Sequence, residues 1–102
     1  MAEWKTVAKT GDFRDGEMHA FDVNAERVAI ARSGGTWYAF GDVCTHRQCS
    51  LAEGDIEGTT VTCPCHGSQF DAATGAVLAP PANVPVRSYP VRIQGEDVQI
   101  EV

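Results

Sequence analysis

The residues able to do chemistry in this chain fall in two short boxes, Cys44-Thr45-His46-Arg47-Gln48-Cys49 and Cys63-Pro64-Cys65-His66-Gly67-Ser68-Gln69-Phe70. Each offers one Cys and one His, as C-x-H in the first and C-x-x-H in the second, and each holds a further Cys. Zinc knuckles space their ligands as C-x2-4-C or H-x3-5-H, so that one turn brings both side chains onto one ion. The single residue between Cys44 and His46 instead keeps those side chains apart along an extended chain. That spacing suits two adjacent metal ions, with thiolates on one and imidazoles on the other. Four Cys and three His in a small domain also suit a structural zinc, and that reading stands beside the first. His19, between Met18 and Ala20 and far from any Cys, reads as a strand or turn residue.

Taken together, the boxes, the gap and the flanking residues resemble those of the Rieske ferredoxins, the small carriers that feed electrons to ring-hydroxylating dioxygenases and related monooxygenases. In Rieske centres two His replace two Cys on one iron of a 2Fe-2S cluster. The resemblance implies that Cys44 and Cys63 bind one iron while His46 and His66 bind the outer one. It also implies that Gly67 lets the backbone approach, that Ser68 donates a hydrogen bond to a bridging sulfide, and that Leu51 packs near the cluster to keep water away. Leu51 reads equally as plain core. The stretch Ala79-Pro80-Pro81-Ala82-Asn83-Val84-Pro85 stands where the family has a Pro-rich lid over the cluster. Proline fixes φ in advance, so such a lid loses less entropy on ordering.

Phe70 stands where high-potential respiratory members have a Tyr that donates to a ligand sulfur. Without that donor the resemblance implies an intermediate potential, within the family span of about −150 to +300 mV. Cys49 and Cys65 match the pair that forms a disulfide between cluster loops in respiratory Rieske proteins, a pair many dioxygenase ferredoxins lack. A reducing compartment makes a disulfide unexpected, yet this one would close a short loop beside a cluster that already holds both box loops together, so the bond is favoured over two buried thiols. Arg47-Gln48 departs from the Leu-Gly of respiratory proteins and fits a docking surface or a solvated loop better than an apolar quinol pocket.

The function so implied is a soluble one-electron carrier in aromatic catabolism, not itself an enzyme. It takes an electron from a flavin-dependent reductase and passes it to a terminal oxygenase docked near His46 and His66. The alternative within the family is the Rieske small subunit of a larger oxidoreductase such as nitrite reductase. Outside it, the alternative is a zinc-stabilised interaction module.

Composition narrows the choice. A chain of 102 residues holds one domain, 1–102. No second region offers the two His and one carboxylate of a mononuclear iron site. A net charge of −6 argues against nucleic acid, whose phosphates would repel it. It suits a partner with a basic patch, and equally serves solubility. No apolar run reaches the roughly 20 residues of a membrane span. Met1-Ala2-Glu3-Trp4-Lys5-Thr6 has no signal-peptide pattern, so a cytoplasmic protein without membrane contact is expected.

The elements that must position the boxes read as strands. Residues 4–9, 18–23 and 27–32 are strand runs, and Ser33-Gly34-Gly35 turns the third into Thr36-Trp37-Tyr38-Ala39-Phe40. Trp37 and Phe40 read as core, holding the strand that delivers Asp42-Val43-Cys44. Residues 50–62 read as a connection and one strand rising to Cys63, and 76–78 as a short strand after the turn at 71–75. Residues 86–93 alternate as one strand with an edge or bulge at Pro90, then turn into 98–102. The expectation is an all-β Rieske fold: an antiparallel β-sandwich base with an inserted cluster-binding subdomain at about residues 42–81.

Overall fold

The apolar run Val28-Ala29-Ile30-Ala31 is buried along its whole length, and the fold is arranged on both sides of it. The computed structural model describes residues 3–45, 48–65 and 67–101. In chain order the strands are β1 Trp4–Lys9, β2 Met18–Val23, β3 Glu26–Ser33, β4 Thr36–Gly41, β5 Asp55–Glu57, β6 Thr60–Thr62, β7 Gln69–Asp71, β8 Val77–Ala79, β9 Ser88–Tyr89, β10 Val91–Gln94 and β11 Asp97–Glu101. They form three antiparallel sheets among the described residues, ordered β1-β11-β10, β2-β3-β4-β9 and β5-β6-β7-β8.

Side chains alternate across a strand, so β3 feeds two cores. Val28 and Ile30 pack with Phe13, Ala39, Tyr89, Val98 and Ile100, closing the first sheet onto the second as a sandwich. Ala29 and Ala31 face the other way, with Phe40, Cys44, Leu51, Val61, Cys63, Phe70 and Ala82. The small alanines let the third sheet and the box loops come close to the middle sheet. Trp37 and Phe40, both expected in the core, take opposite faces: Phe40 is fully buried against the boxes, while Trp37 is half-buried on the sandwich side, its ring 5.1 Å from that of Phe13. His19 is exposed in β2, edge-on to Phe13 at 4.7 Å, as a strand residue.

Two strand expectations are corrected. Residues 86–93 are not one strand: β9 ends at Tyr89 in the middle sheet and β10 begins at Val91 in the outer one. Pro90 lacks the N–H that a continuing ladder needs, so the chain changes sheet there, and the Pro90 carbonyl accepts from the Glu101 amide at 3.0 Å. Residues 50–62 hold a 3-10 turn at Leu51–Glu53 and then a hairpin, β5 to β6, rather than a single strand. The third sheet thus lies between β4 and β9 in the chain, although those two strands pair with each other. Whatever β5–β8 carry is mounted on two strands already held in register.

Tyr89 ties this base together: its hydroxyl donates to Glu26 Oε2 at 2.7 Å, and Arg87 lies over its ring at 5.0 Å. Burial, followed by the bond to Glu26, pushes the phenol from its ordinary 10.0 up to about 12. A raised pKa means that the folded chain keeps a proton the unfolded chain has lost. The contribution is therefore full below pH 10.0 and is lost as pH rises to about 12. Tyr89→Phe should be less stable than wild type at neutral pH by about 1 kcal/mol, the worth of one hydrogen bond. Denaturation midpoints of the two proteins should converge across that alkaline window; parallel curves would refute the assignment.

Candidate metal centre

The first box sits in a loop whose neck is fastened by Asp42. This carboxylate is fully buried and accepts three hydrogen bonds: from Arg27 Nε at 2.8 Å, Ser50 Oγ at 2.7 Å and the Ala52 amide at 2.8 Å. Its own amide donates to the Arg27 carbonyl at 3.0 Å, and its carbonyl accepts from Leu51 at 2.7 Å. The hydrogen bond and charge of Asp42 hold the Arg27 guanidinium above its usual range. Inside the neck, Val43 bridges Ser50 and the Cys44 amide donates to the Cys49 carbonyl at 2.9 Å. Loop 43–50 is thereby closed before any ligand joins it. Asp42 was read only as part of the strand's end. Its sequence neighbourhood carried no signal for this role, because the donors come from positions 27, 50 and 52.

The second box is the tip of the β6–β7 hairpin. The Cys63 amide donates to the Ser68 carbonyl at 2.7 Å, and the Gly67 amide to the Cys63 carbonyl at 3.3 Å. Gly67 is required by its backbone, with φ at 78°, and a Cβ there would meet no atom within 4 Å among the described residues beyond its chain neighbours. Gly54 is the place of close approach: a Cβ on it would collide with the Thr62 carbonyl oxygen and crowd Pro64. That contact lets the turn after the first box lie against the strand that leads to Cys63.

A third loop joins both boxes. The Ala82 amide donates to Ser68 Oγ at 3.0 Å in a buried position, and Thr45 Oγ1 donates to the Val84 carbonyl at 2.6 Å. A cis peptide links Pro80 to Pro81, and both prolines are exposed while Ala82 is buried. Between the boxes themselves runs a disulfide, Cys49–Cys65, with Cα atoms 6.5 Å apart. The reading of two buried thiols gives way to this bond. Cys49, Cys63 and Cys65 bring their sulfurs within 4.8 Å of one another, but two of the three are spent on the disulfide and offer no thiolate to a metal.

Cys44 and Cys63 remain as ligand-type residues, one on each loop, 1% and 3% exposed. They share an apolar pocket with Leu51, Phe70 and Ala82, and Phe70 puts no hydroxyl there. The fully buried Ser68 hydroxyl uses its oxygen to accept from Ala82, which leaves its hydrogen to donate. Two thiolate donors on separate fixed loops, a dry wall and one available O–H fit a 2Fe-2S cluster. A single zinc ion needs four closely gathered ligands. The imidazole half of the donor set, His46 and His66, lies outside the described residues, as does Arg47.

Comparison with known proteins agrees. The ferredoxin component of biphenyl 2,3-dioxygenase from Rhodococcus jostii (strain RHA1) is 34% identical, over 94% of this chain and 90% of that protein. The ferredoxin of carbazole 1,9a-dioxygenase from Nocardioides aromaticivorans IC177 superimposes with a TM-score of 0.90 at 32% identity, over 95% of each chain. A complex of reduced oxygenase and oxidized ferredoxin in carbazole 1,9a-dioxygenase contains a chain with a TM-score of 0.88 and 33% identity, covering 95% of this chain and 91% of that one. Residues 3–90 match the Rieske 2Fe-2S domain across both boxes and the sheets that carry them, and the chain belongs to that family.

Proposed function

We propose that this chain is a one-electron carrier that receives an electron from a flavin-dependent reductase and delivers it to a terminal oxygenase. The observation that carries the reading is the pair of buried cysteines, Cys44 and Cys63, on loops pinned to each other and to a rigid base. Its similarity to ferredoxin components of dioxygenase systems supports the same role. In this reading Cys44 and Cys63 hold one iron, His46 and His66 hold the other, and residues 42–81 form the cluster-binding subdomain within a single domain. When bound, the cluster takes up and releases one electron. The protein's part is to keep its ligands still: Asp42 closes the first loop, the β6–β7 ladder holds the second, and Ala82 and Val84 tie the third to both.

Docking is assigned to the surface around His46 and His66. Val43, Val84 and Pro64 are exposed on the neighbouring loops and offer apolar contact. The outward residues of the third sheet include Asp55, Glu57 and Asp71, and the whole chain carries −6. A basic partner would be drawn to a chain of this charge, with association slowing as salt rises. No helix among the described residues is long and apolar enough to cross a membrane.

Electron paramagnetic resonance of the dithionite-reduced protein, with iron and zinc assays on the same sample, tests the reading. A rhombic 2Fe-2S signal with two irons per chain is expected. Zinc without a signal would end every redox assignment made here. A finer test addresses Ser68. If its O–H donates to the cluster, Ser68→Ala should lower the midpoint potential by about 40 mV, since about 1 kcal/mol is lost and 59 mV corresponds to about 1.4 kcal/mol for one electron. An unchanged potential in a fully loaded variant would confine Ser68 to its bond with Ala82.

A further inference from the structure

Beside the two boxes lies a depression of about 350 Å³ lined by Arg27, Gln48, Cys49, Glu53, Pro64 and Cys65, with Asp42 at its floor. Both halves of the disulfide line it, and Cys65 is exposed whereas Cys49 is only half so. A bridge that served purely as an internal brace would need no such opening. Arg27 lines the depression, and it spends its Nε on Asp42 while its side chain stays 51% exposed, so its terminal nitrogens remain open to another acceptor. A guanidinium with open N–H groups is suited to a carboxylate. Glu53, on the same wall, disfavours a strongly anionic guest.

The geometry points to the Cys49–Cys65 bridge as a modification site for a small peptide thiol, its carboxylate on Arg27 and its sulfur on Cys65. The incoming thiolate attacks Cys65 Sγ, a new S–S bond forms, and the Cys49–Cys65 bond breaks. Cys49 leaves as a thiolate and takes a proton from solvent. A second thiol then attacks the mixed disulfide, releasing the disulfide of the two small thiols and a Cys65 thiol. Two electrons pass from the thiols to the bridge, and no other reductant is needed. The result is a chain in which the covalent tie between the box loops is opened while Asp42, Ala82 and Val84 still hold each loop to the base.

The experiment uses the oxidised, cluster-loaded protein under anaerobic conditions with reduced glutathione, acid quenching and peptide mass mapping. The expected product carries one glutathione on Cys65 and a thiol at Cys49, and it appears while the visible absorbance of the cluster is intact. Arg27→Gln should slow the glutathione reaction about five-fold, the scale of an exposed ion pair, and leave the reaction with 2-mercaptoethanol, which has no carboxylate, unchanged. Because Arg27 also touches Asp42, the same comparison is made in wild type with glutathione whose carboxylates are esterified, and the same slowing is expected. No adduct, an adduct only after bleaching, an adduct on Cys49 alone, or equal rates for free and esterified glutathione would each overturn the proposal.

Discussion

Serine in place of Cys49 is expected to speed loss of the cluster about ten-fold. The bridge spans a sequence separation of 16, and closing a loop of about 15 residues is worth about 3 kcal/mol in the chain-entropy picture. If the two box loops parted completely whenever a ligand let go, that figure would correspond to roughly one-hundredfold. They do not part completely, because Asp42 holds the neck of the first loop and the third loop is bonded to both boxes. The bridge thus acts on the interval between release of one ligand and release of the next: with it, the free ligand stays within reach and rebinds. The measurement is anaerobic bleaching in the presence of an iron chelator. Cys49→Ser with Cys65→Ser is compared alongside, so that the lone Cys65 of the single variant is not mistaken for the effect. Equal bleaching rates in wild type and both variants would leave the bridge without a role in retention.

The pattern of the boxes was legible because ligand chemistry restricts residue type and spacing more tightly than packing does. Strands with eight or six residues, such as Glu26–Ser33 and Met18–Val23, were legible within a residue or so because their runs are long enough to show a pattern. β5, β6 and β7 have only three residues each, too few for a period to appear, and what defines them is pairing across the sheet. The change of sheet at Pro90 was half legible: proline announces a break in a ladder but not where the chain goes next. Nor does a one-residue code reveal Asp42. Its importance lies in three donors arriving from positions 27, 50 and 52, and only the folded chain brings these together.

That convergence gives the second large effect: Asp42→Ala should lower stability by about 3 kcal/mol. Arg27, half in water, re-solvates when its partner is lost, so the 3–5 kcal/mol typical of a broken buried pair is not reached through the guanidinium. The cost falls on the Ser50 hydroxyl and the Ala52 amide, both partly buried, which lose their acceptor among the described residues; an orphaned donor costs about 1–3 kcal/mol. For a domain of this size the melting temperature should drop by about 12–20 °C. Asp42→Asn has nearly the same shape and keeps an oxygen for Ala52, but sets an N–H₂ group against Ser50 or Arg27, so it should lose about half as much. The two variants separate packing from polar satisfaction, since only alanine leaves space. If Asp42→Asn melts with wild type, the neck is held by its backbone bonds to Arg27 and Leu51, and the carboxylate is incidental. If it melts midway, the loop that presents Cys44 is held in place by one side chain.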